Sequence, residues 1–97
     1  DHLLALNEIM GYLAKDDGDN AAKVAEYRLG ISSLALHNAN NLAQFMPKGM
    51  QEAGLAMHRA ASRFALVAEE GDLLKAYKSL SEVTTACVAC HVAYRLR

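Results

Sequence analysis

The stretch Cys87-Val88-Ala89-Cys90-His91 places two thiols three residues apart and an imidazole directly after the second thiol. This spacing is typical of the attachment of c-type haem. The two thiols add across the vinyl groups of the haem, and the adjacent imidazole binds the iron. The sequence therefore predicts one covalently bound haem c per chain, held by Cys87 and Cys90, with His91 as an axial ligand of the iron.

A Cys-x-x-Cys pair also occurs in helical disulfides, in thioredoxin-like redox sites and as half of a zinc site. A structural zinc ion takes four ligands, and the other histidines, His2, His37 and His58, do not form the paired spacing that would complete such a set. A redox Cys-x-x-Cys opens a helix after a strand, whereas this pair lies deep within a predicted helix. Haem attachment is the preferred interpretation.

Composition restricts the remaining possibilities. The chain has 97 residues, one proline and 53% hydrophobic residues, which predicts a single small domain over residues 1–97. A net charge of −1 indicates neither a nucleic-acid-binding surface nor a membrane-surface patch. No apolar run approaches the ~20 residues of a membrane span, so we expect no such span. No nucleophile elbow, paired carboxylates or phosphate loop occurs, and we expect a binding protein rather than an enzyme.

Helical periodicity runs through the whole chain, and no segment shows the alternation of a strand. A first helix is predicted on the stripe Leu3, Leu6, Met10 and Leu13, and Asp19 or Asn20 is expected to cap a second helix over 20–45. That second helix passes through Gly30, and its predicted inner stripe consists of Val24, Tyr27, Ile31, Leu34, Asn38, Leu42 and Phe45. A turn is expected at 46–49, where Pro47 and Gly49 end the helical pattern.

Two further helices complete the prediction. The third covers 50–69, with Met50, Gly54, Met57, Ala61, Phe64 and Ala68 facing inward. Gly71 is expected to end that helix and Asp72 to cap the last one. The predicted inner stripe of the last helix is Leu73, Tyr77, Leu80, Thr84, Cys87, His91 and Tyr94.

Four helices joined by short links predict an all-α, antiparallel up-down-up-down bundle with the haem at one end. The start of the first helix, the link between the second and third helices, and the end of the last helix meet at that end. The expected surroundings of the haem are Leu3, Leu6, Phe45, Met46, Met50, Tyr94 and Arg95.

The last thirty residues resemble the C-terminal part of the cytochrome c′ family, the four-helix class of bacterial c-type cytochromes. The similarity rests on 70–73 (Glu-Gly-Asp-Leu) before the last helix, and on 86–91 (Ala-Cys-Val-Ala-Cys-His) followed by Tyr94-Arg95. Residues 45–49, Phe-Met-Pro-Lys-Gly, are similar to the family's Phe-Pro-x-Gly turn with one residue inserted. The chain is shorter than is usual for the family, because the long connection between helices two and three is missing.

This resemblance implies haem on Cys87 and Cys90, iron bound by His91, and Arg95 near the proximal side. It also implies the bacterial periplasm, since haem is attached outside the cytosol, and an export signal is then expected to have been removed. The family divides between five-coordinate members that bind nitric oxide or carbon monoxide and six-coordinate members that carry electrons to partner proteins. A homodimer through helices one and two is the family's common arrangement. It fits the apolar residues that fall partly outside the predicted inner stripe of helix two, namely Ala21, Ala22, Ala25, Leu29 and Leu36.

The group on the other side of the iron decides between the two behaviours. Helical rise is expected to place Leu3 or Leu6 near the level of His91, with Met10 about 10 Å lower than Leu3. An aliphatic cover leaves an apolar sixth position that admits small neutral gases and disfavours anions. The prediction is a five-coordinate, gas-binding haem. The alternative is a six-coordinate electron carrier with Met10 or another residue as the sixth ligand.

Overall fold

The computed structural model describes residues 2–33 and 48–94. These residues form four α-helices, with no strand among them: α1 (His2–Ala14), α2 (Gly18–Val24), α3 (Lys48–Glu69) and α4 (Leu73–Tyr94). A π-helical turn at Ala25–Leu29 continues α2, and a 3₁₀ turn follows at Ile31–Ser33. The all-α prediction is confirmed for this part of the chain.

Helices α3 and α4 pack along each other as a helical hairpin, and α1 packs on α2. Helix α2 also packs on α3, and the core lies between these two pairs of helices. Among the described residues, Phe64 has the largest fully buried side chain, and Val83 of α4 is 1% exposed. Burying an aromatic side chain of this size contributes on the order of 2–3 kcal/mol. Alanines fill much of the remaining interior at Ala5, Ala21, Ala22, Ala25, Ala60, Ala61, Ala65, Ala68 and Ala76, which allows the helices to approach closely.

The inner face of α1 differs from the prediction. Ala5, Ile9 and Leu13 are buried, whereas Leu3 is 80% exposed and Met10 is 56% exposed. Both stripes obey the three-four spacing of a helix, so periodicity alone does not separate them. The alanine at position 5 belongs to the stripe that packs closely against α2.

The second helix is much shorter than the predicted span of 20–45. Asp17, rather than Asp19 or Asn20, caps it by accepting hydrogen bonds from the backbone and side chain of Asn20 at 3.1 and 2.6 Å. The helix widens into the π-helical turn and ends at Gly30, whose backbone is extended (φ −74°, ψ −173°). The remainder of the predicted span, 34–45, lies outside the described residues.

The predicted inner stripe of this helix is also wrong in the described part. Ala21, Ala22, Ala25 and Leu29 are buried, while Tyr27 is 62% exposed. These four residues therefore contribute to the core and are not available to a dimer partner.

The break at Gly30 is held in place by Glu26. Its carboxylate accepts hydrogen bonds from Ser32 Oγ (2.5 Å) and Ser32 N (3.1 Å), and Ser62 Oγ of α3 accepts one from Ile31 N at 2.9 Å. Gly30 lies so close to Glu26 and Ser62 that a side chain at this position would meet their atoms at 2.7–2.9 Å. This packing explains why the chain turns at Gly30.

The two short links lie side by side at one end of the molecule. A small cleft there is lined by Leu13, Asp16, Gly18, Ala68, Gly71, Asp72, Leu73 and Ala76. Gly71 has a φ of +83°, which glycine adopts at little cost, and Asp72 Oδ1 accepts a hydrogen bond from Lys75 N at 3.1 Å. The predicted end of α3 and the predicted cap of α4 are both confirmed. At the other end of α3, Gly49 lies within the helix, so the turn predicted to end at Gly49 is wrong there.

Candidate functional site

The Cys-x-x-Cys-His motif lies within α4, well beyond its first turn. Cys87 packs against the hydrophobic core and is partly buried, as is Cys90, whereas His91 is exposed. With 3.6 residues per helical turn, Cys90 lies about 60° to one side of Cys87 and His91 about 40° to the other. Two thiols and an imidazole therefore share an arc of about 100° on one side of the helix.

The core stripe of α4 runs through Ala76, Leu80, Val83 and Cys87, so the prediction that Cys87 continues the core is confirmed. The predicted inner stripe of α4 is rotated to one side of the observed core stripe, because two of its members, Tyr77 (44% exposed) and His91, lie at the surface. Cys90, rather than His91, extends the inner side of the helix.

The electrostatics of Cys87 do not resemble those of a redox thiol. Burial, and to a smaller extent the neighbouring Cys90, raise the pKa of Cys87 above its usual value of 9.0. Reactive thiols in redox pairs have a lowered pKa and lie at helix N-termini or beside cations. Both cysteines are free thiols, and Cys87 stays protonated at neutral pH.

The same geometry does not suit a zinc ion. Within residues 2–33 and 48–94, no three His, Cys, Asp or Glu side chains are grouped so that they could hold a metal ion. The side chains of Cys87, Cys90 and His91 point outward along an arc instead of converging on one point. This arrangement suits a ligand broad enough to contact all three groups.

The register of α3 against α4 follows from the ion pair between Arg63 Nη2 and Glu82 Oε2, which are 3.9 Å apart. His58 precedes Arg63 by five residues, and Cys87 follows Glu82 by five residues, so the two lie at a similar level of the hairpin. By the same reasoning Gly54 lies opposite His91. Apart from its own helix, no atom of the described residues lies within 4 Å of the position that a Cβ at Gly54 would take.

The register of α1 against α4 follows from the cleft that joins Leu13 to Leu73 and Ala76. Leu3 lies ten residues above Leu13 on α1, a rise of about 15 Å, whereas His91 lies roughly 22–27 Å above the cleft on α4. Leu3 is therefore about 10 Å below His91, and by the same rise Leu6 is about 14 Å and Met10 about 20 Å below it. The expectation that Leu3 or Leu6 reaches the level of His91 underestimated how far α4 extends beyond α1.

Apolar side chains follow one flank of α1 and one flank of α4. On α1, Glu8 pairs with Arg28 of the π-helical turn, and the opposite flank carries Leu3, Leu6 and Met10, of which Leu3 and Met10 are exposed. On α4, Glu82 marks the flank towards α3. Its other flank, here called the His91 flank, comprises Leu73, Tyr77, Leu80, Thr84, Val88 and His91.

A buried histidine, which the sequence pattern did not single out, lies at the level of Cys87. His58 of α3 is 8% exposed, and its Nδ1 is 2.5 Å from the carbonyl oxygen of Leu29. Its ring meets that of His2 edge to face, with centroids 6.3 Å apart and an interplanar angle of 89°. The sequence spacing does indicate that His58 faces inward, because position 58 is four residues after Gly54 and three before Ala61, both on the predicted inner stripe.

The other predicted pocket residues contribute little here. Met50 is partly buried in the first turn of α3, about one helical turn beyond Gly54, and Tyr94 is the last residue of α4. Phe45, Met46 and Arg95 lie outside the described residues.

Comparison of the chain with family models, curated proteins and solved structures finds no match. None of the helices in the described ranges is both long enough and apolar enough to cross a membrane. The function is therefore inferred from the motif on α4 and its surroundings.

Proposed function

We propose that the chain is a c-type monohaem protein similar to cytochrome c′, with haem on Cys87 and Cys90 and iron bound by His91. The observation that carries this proposal is the arrangement of two free thiols and one imidazole on a single side of α4. When bound, the haem supplies an iron centre that binds gases or exchanges electrons.

Attachment needs no oxidant, because a thiol adds directly to a carbon–carbon double bond. The sulfur of Cys87 or Cys90 forms a bond to one vinyl carbon, and the thiol hydrogen goes to the other carbon. The raised pKa of Cys87 and its contact with the core suit such a buried thioether. They do not suit a thiolate that exchanges disulfides.

The chain is further proposed to form a single up-down-up-down bundle over residues 1–97, with the haem at the end remote from the two links. The cleft that joins both links and the contact between His2 and His58 support this arrangement. Gly54, which has no described neighbour from another helix within 4 Å of an added Cβ, lies at the same level as His91, where the haem would need room.

The iron is proposed to be five-coordinate and to bind nitric oxide or carbon monoxide. The His91 flank of α4 is formed mainly by apolar side chains, which cannot compensate an anion for its lost hydration. Neutral diatomic gases do not require that compensation. Leu3, the nearest to His91 of the three α1 residues, is proposed to border the lower part of this pocket.

The alternative of a six-coordinate electron carrier is weakened for Met10. A thioether about 20 Å below His91 cannot reach the same iron without a large shift of α1. A carrier of this kind would therefore need a different sixth ligand.

Acid-acetone extraction of the haem protein tests attachment. Haem should stay with the protein, and replacing both Cys87 and Cys90 with alanine should release it. Free extraction of haem from the unmodified protein would refute the proposal. The His91→Ala variant should keep the thioethers but change the Soret band, and an unchanged band would show that another residue binds the iron.

The spectrum of the reduced protein tests the coordination state. A high-spin ferrous spectrum and direct binding of carbon monoxide are expected, and Leu3→Ala should speed gas entry. A reduced protein that is low-spin and does not bind carbon monoxide would favour the electron carrier.

A homodimer in the bacterial periplasm is proposed as the working state. The support lies on the outer face of α1, where Leu4 and Met10 are both more than half exposed. Apolar patches of this kind mark interaction surfaces. Sedimentation should show a dimer at micromolar concentration, and a monomer at high micromolar concentration would contradict it.

A further inference from the structure

The link between α1 and α2 contains the dipeptide Asp17-Gly18. It is the one place in the sequence where glycine directly follows an aspartate or an asparagine. In such a dipeptide the glycine nitrogen can attack the carboxyl carbon of the preceding side chain, because glycine has no side chain to hinder the approach. The chain therefore contains one dipeptide of this labile kind.

Position 18 has to be glycine because α2 begins against the backbone of α3. A Cβ at Gly18 would overlap the carbonyl oxygen of Ala68 and lie 3.2 Å from its carbonyl carbon. Backbone atoms in a packed helix do not move aside as a flexible side chain does, so a larger residue would push α2 away from α3. Close packing of the two helices thus requires the residue that makes position 17 reactive.

Asp17 caps α2 with both oxygens of its carboxylate. Oδ1 accepts a hydrogen bond from Asn20 N at 3.1 Å, and Oδ2 accepts one from Asn20 Nδ2 at 2.6 Å. An oxygen-bearing side chain is favoured here because the first amide groups of a helix have no partner within it. For the same reason the amide of Gly18, the first residue of α2, is not tied into the helix.

The backbone at Asp17 holds the two reacting groups apart. Its ψ is 74°, which places the Gly18 nitrogen almost opposite Cβ across the Cα–C bond, because the substituents of a tetrahedral carbon are evenly spaced. Ring closure requires the nitrogen and Cβ on the same side, so ψ must turn by roughly half a rotation. Such a rotation breaks the cap and moves α2 off Ala68. The side-chain hydrogen bond from Asn20 also lowers the pKa of Asp17, and an ionised carboxylate is a poorer electrophile than the neutral acid.

We propose that Asp17 is a site of spontaneous modification, where the bond to Gly18 rearranges through a cyclic imide to isoaspartate whenever the link between α1 and α2 opens. From the neutral acid, the Gly18 nitrogen bonds to Cγ of Asp17, and the carboxyl hydroxyl leaves with the amide hydrogen as water. Water then adds to one of the two imide carbonyls. Breaking the new bond returns aspartate, whereas breaking the original peptide bond leaves Gly18 joined to Cγ. No oxidant or reductant takes part.

The product changes the link without changing the mass of the chain. Cβ and Cγ of residue 17 now form part of the main chain, which becomes longer by one carbon. The longer main chain cannot hold Gly18 against Ala68 while residue 17 caps Asn20. The damage is expected to stay at this end of the molecule, because His91 lies roughly 22–27 Å above the cleft between the links.

Prolonged warming at neutral pH, followed by peptide mapping that distinguishes isoaspartate from aspartate, tests the proposal. Isoaspartate should form at residue 17 on the order of a hundredfold faster in urea than in buffer, since opening the link breaks both hydrogen bonds to the carboxylate. Asn20→Ala removes the bond to Oδ2 but keeps the backbone bond to Oδ1. This variant should isomerise about tenfold faster than the unmodified protein in buffer.

Two variants serve as controls. Asn7→Ala makes the same replacement at an exposed position of α1 and should leave the rate unchanged. Asp17→Ser keeps a capping oxygen but has no carboxyl group, so isoaspartate at residue 17 should be absent. Hydrogen exchange separates local opening from global unfolding. In Asn20→Ala, exchange of the residue-20 amide should accelerate by the same factor as isomerisation, and exchange of the Phe64 amide in α3 should not.

Three outcomes would overturn the proposal. If no isoaspartate forms at residue 17 even in urea, the dipeptide is not a modification site. If the rates in urea and buffer are equal, or Asn20→Ala is no faster, the cap does not control the reaction. If exchange at Phe64 accelerates equally, the reaction follows global unfolding instead of opening of the link. Haem attachment is tested separately by extraction, and none of these results bears on it.

Discussion

Replacing Gly30 with alanine should destabilise the protein, although the Gly30 backbone (φ −74°) is one that alanine adopts. A Cβ at this position would lie 2.7 Å from Ser62 Oγ, 2.8 Å from Glu26 O and 2.9 Å from Glu26 Oε1, where ordinary contacts begin at 3.4 Å. Relief requires movement of backbone as well as side chains, and such overpacking costs about 1–3 kcal/mol. The hydrogen bonds of Ser32 and Ser62 would be weakened by the same movement.

Alanine also restricts the unfolded chain, which offsets roughly 0.4–1 kcal/mol of this cost. The net loss in the free energy of unfolding should be about 1–2 kcal/mol. For a small domain that unfolds with a urea slope of about 2 kcal/mol/M, the midpoint should fall by roughly 0.5–1 M.

Gly11→Ala is the matched control for this substitution. Gly11 lies inside α1, and no described atom is within 4 Å of an added Cβ. Alanine there should stabilise the protein by about 0.5–1 kcal/mol, since glycine is a poor helix former. Urea unfolding followed by circular dichroism measures both variants. If Gly30→Ala is as stable as the unmodified protein or more so, the close packing described around Gly30 is incorrect.

Three further predictions concern acid stability, thiol reactivity and packing. Burial acts to raise the pKa of Glu26, but hydrogen bonds from Ser32 and Ser62 prevail and lower the pKa below its usual value of 4.5. The carboxylate therefore stabilises the folded protein above that pH, and this stabilisation is lost as the pH falls further. Glu26→Gln should flatten the fall in stability between pH 7 and 3, and an unchanged fall would contradict this. In the haem-free protein, the raised pKa of Cys87 should make its alkylation at neutral pH slower than in a denatured sample, as mass spectrometry of the labelled peptide can show; equal rates would indicate an exposed thiol. Met10→Ala should change the free energy of unfolding by less than about 0.5 kcal/mol because the side chain is exposed. Phe64→Ala should lower the free energy of unfolding by about 3–5 kcal/mol. If thermal unfolding shows similar losses of stability for the two variants, Met10 belongs to the core.

The amino-acid sequence alone predicted the structural elements that depend only on residues close together in the chain. The three-four spacing predicted α3 and α4, and Gly71 and Asp72 predicted their junction, because capping and backbone conformation act over a few residues. The Cys-x-x-Cys-His spacing placed three chemical groups on one side of α4 for the same reason. All of these features follow from the pitch of a helix.

Contacts between residues far apart in the sequence determined where the second helix ends, which histidine is buried and which face of α1 packs inward. The end of the second helical segment at Gly30 depends on Ser62, thirty-two residues further along the chain, which binds Ile31 N. The buried ring of His58 depends on a hydrogen bond to the carbonyl of Leu29, which precedes Gly30. Two stripes on α1 satisfied the same periodicity, and only packing against α2 selected Ala5, Ile9 and Leu13. The height of α1 beside His91 depends on where the two links meet. Periodicity specifies which residues share a face, whereas the partner of that face and its level are set by packing between helices.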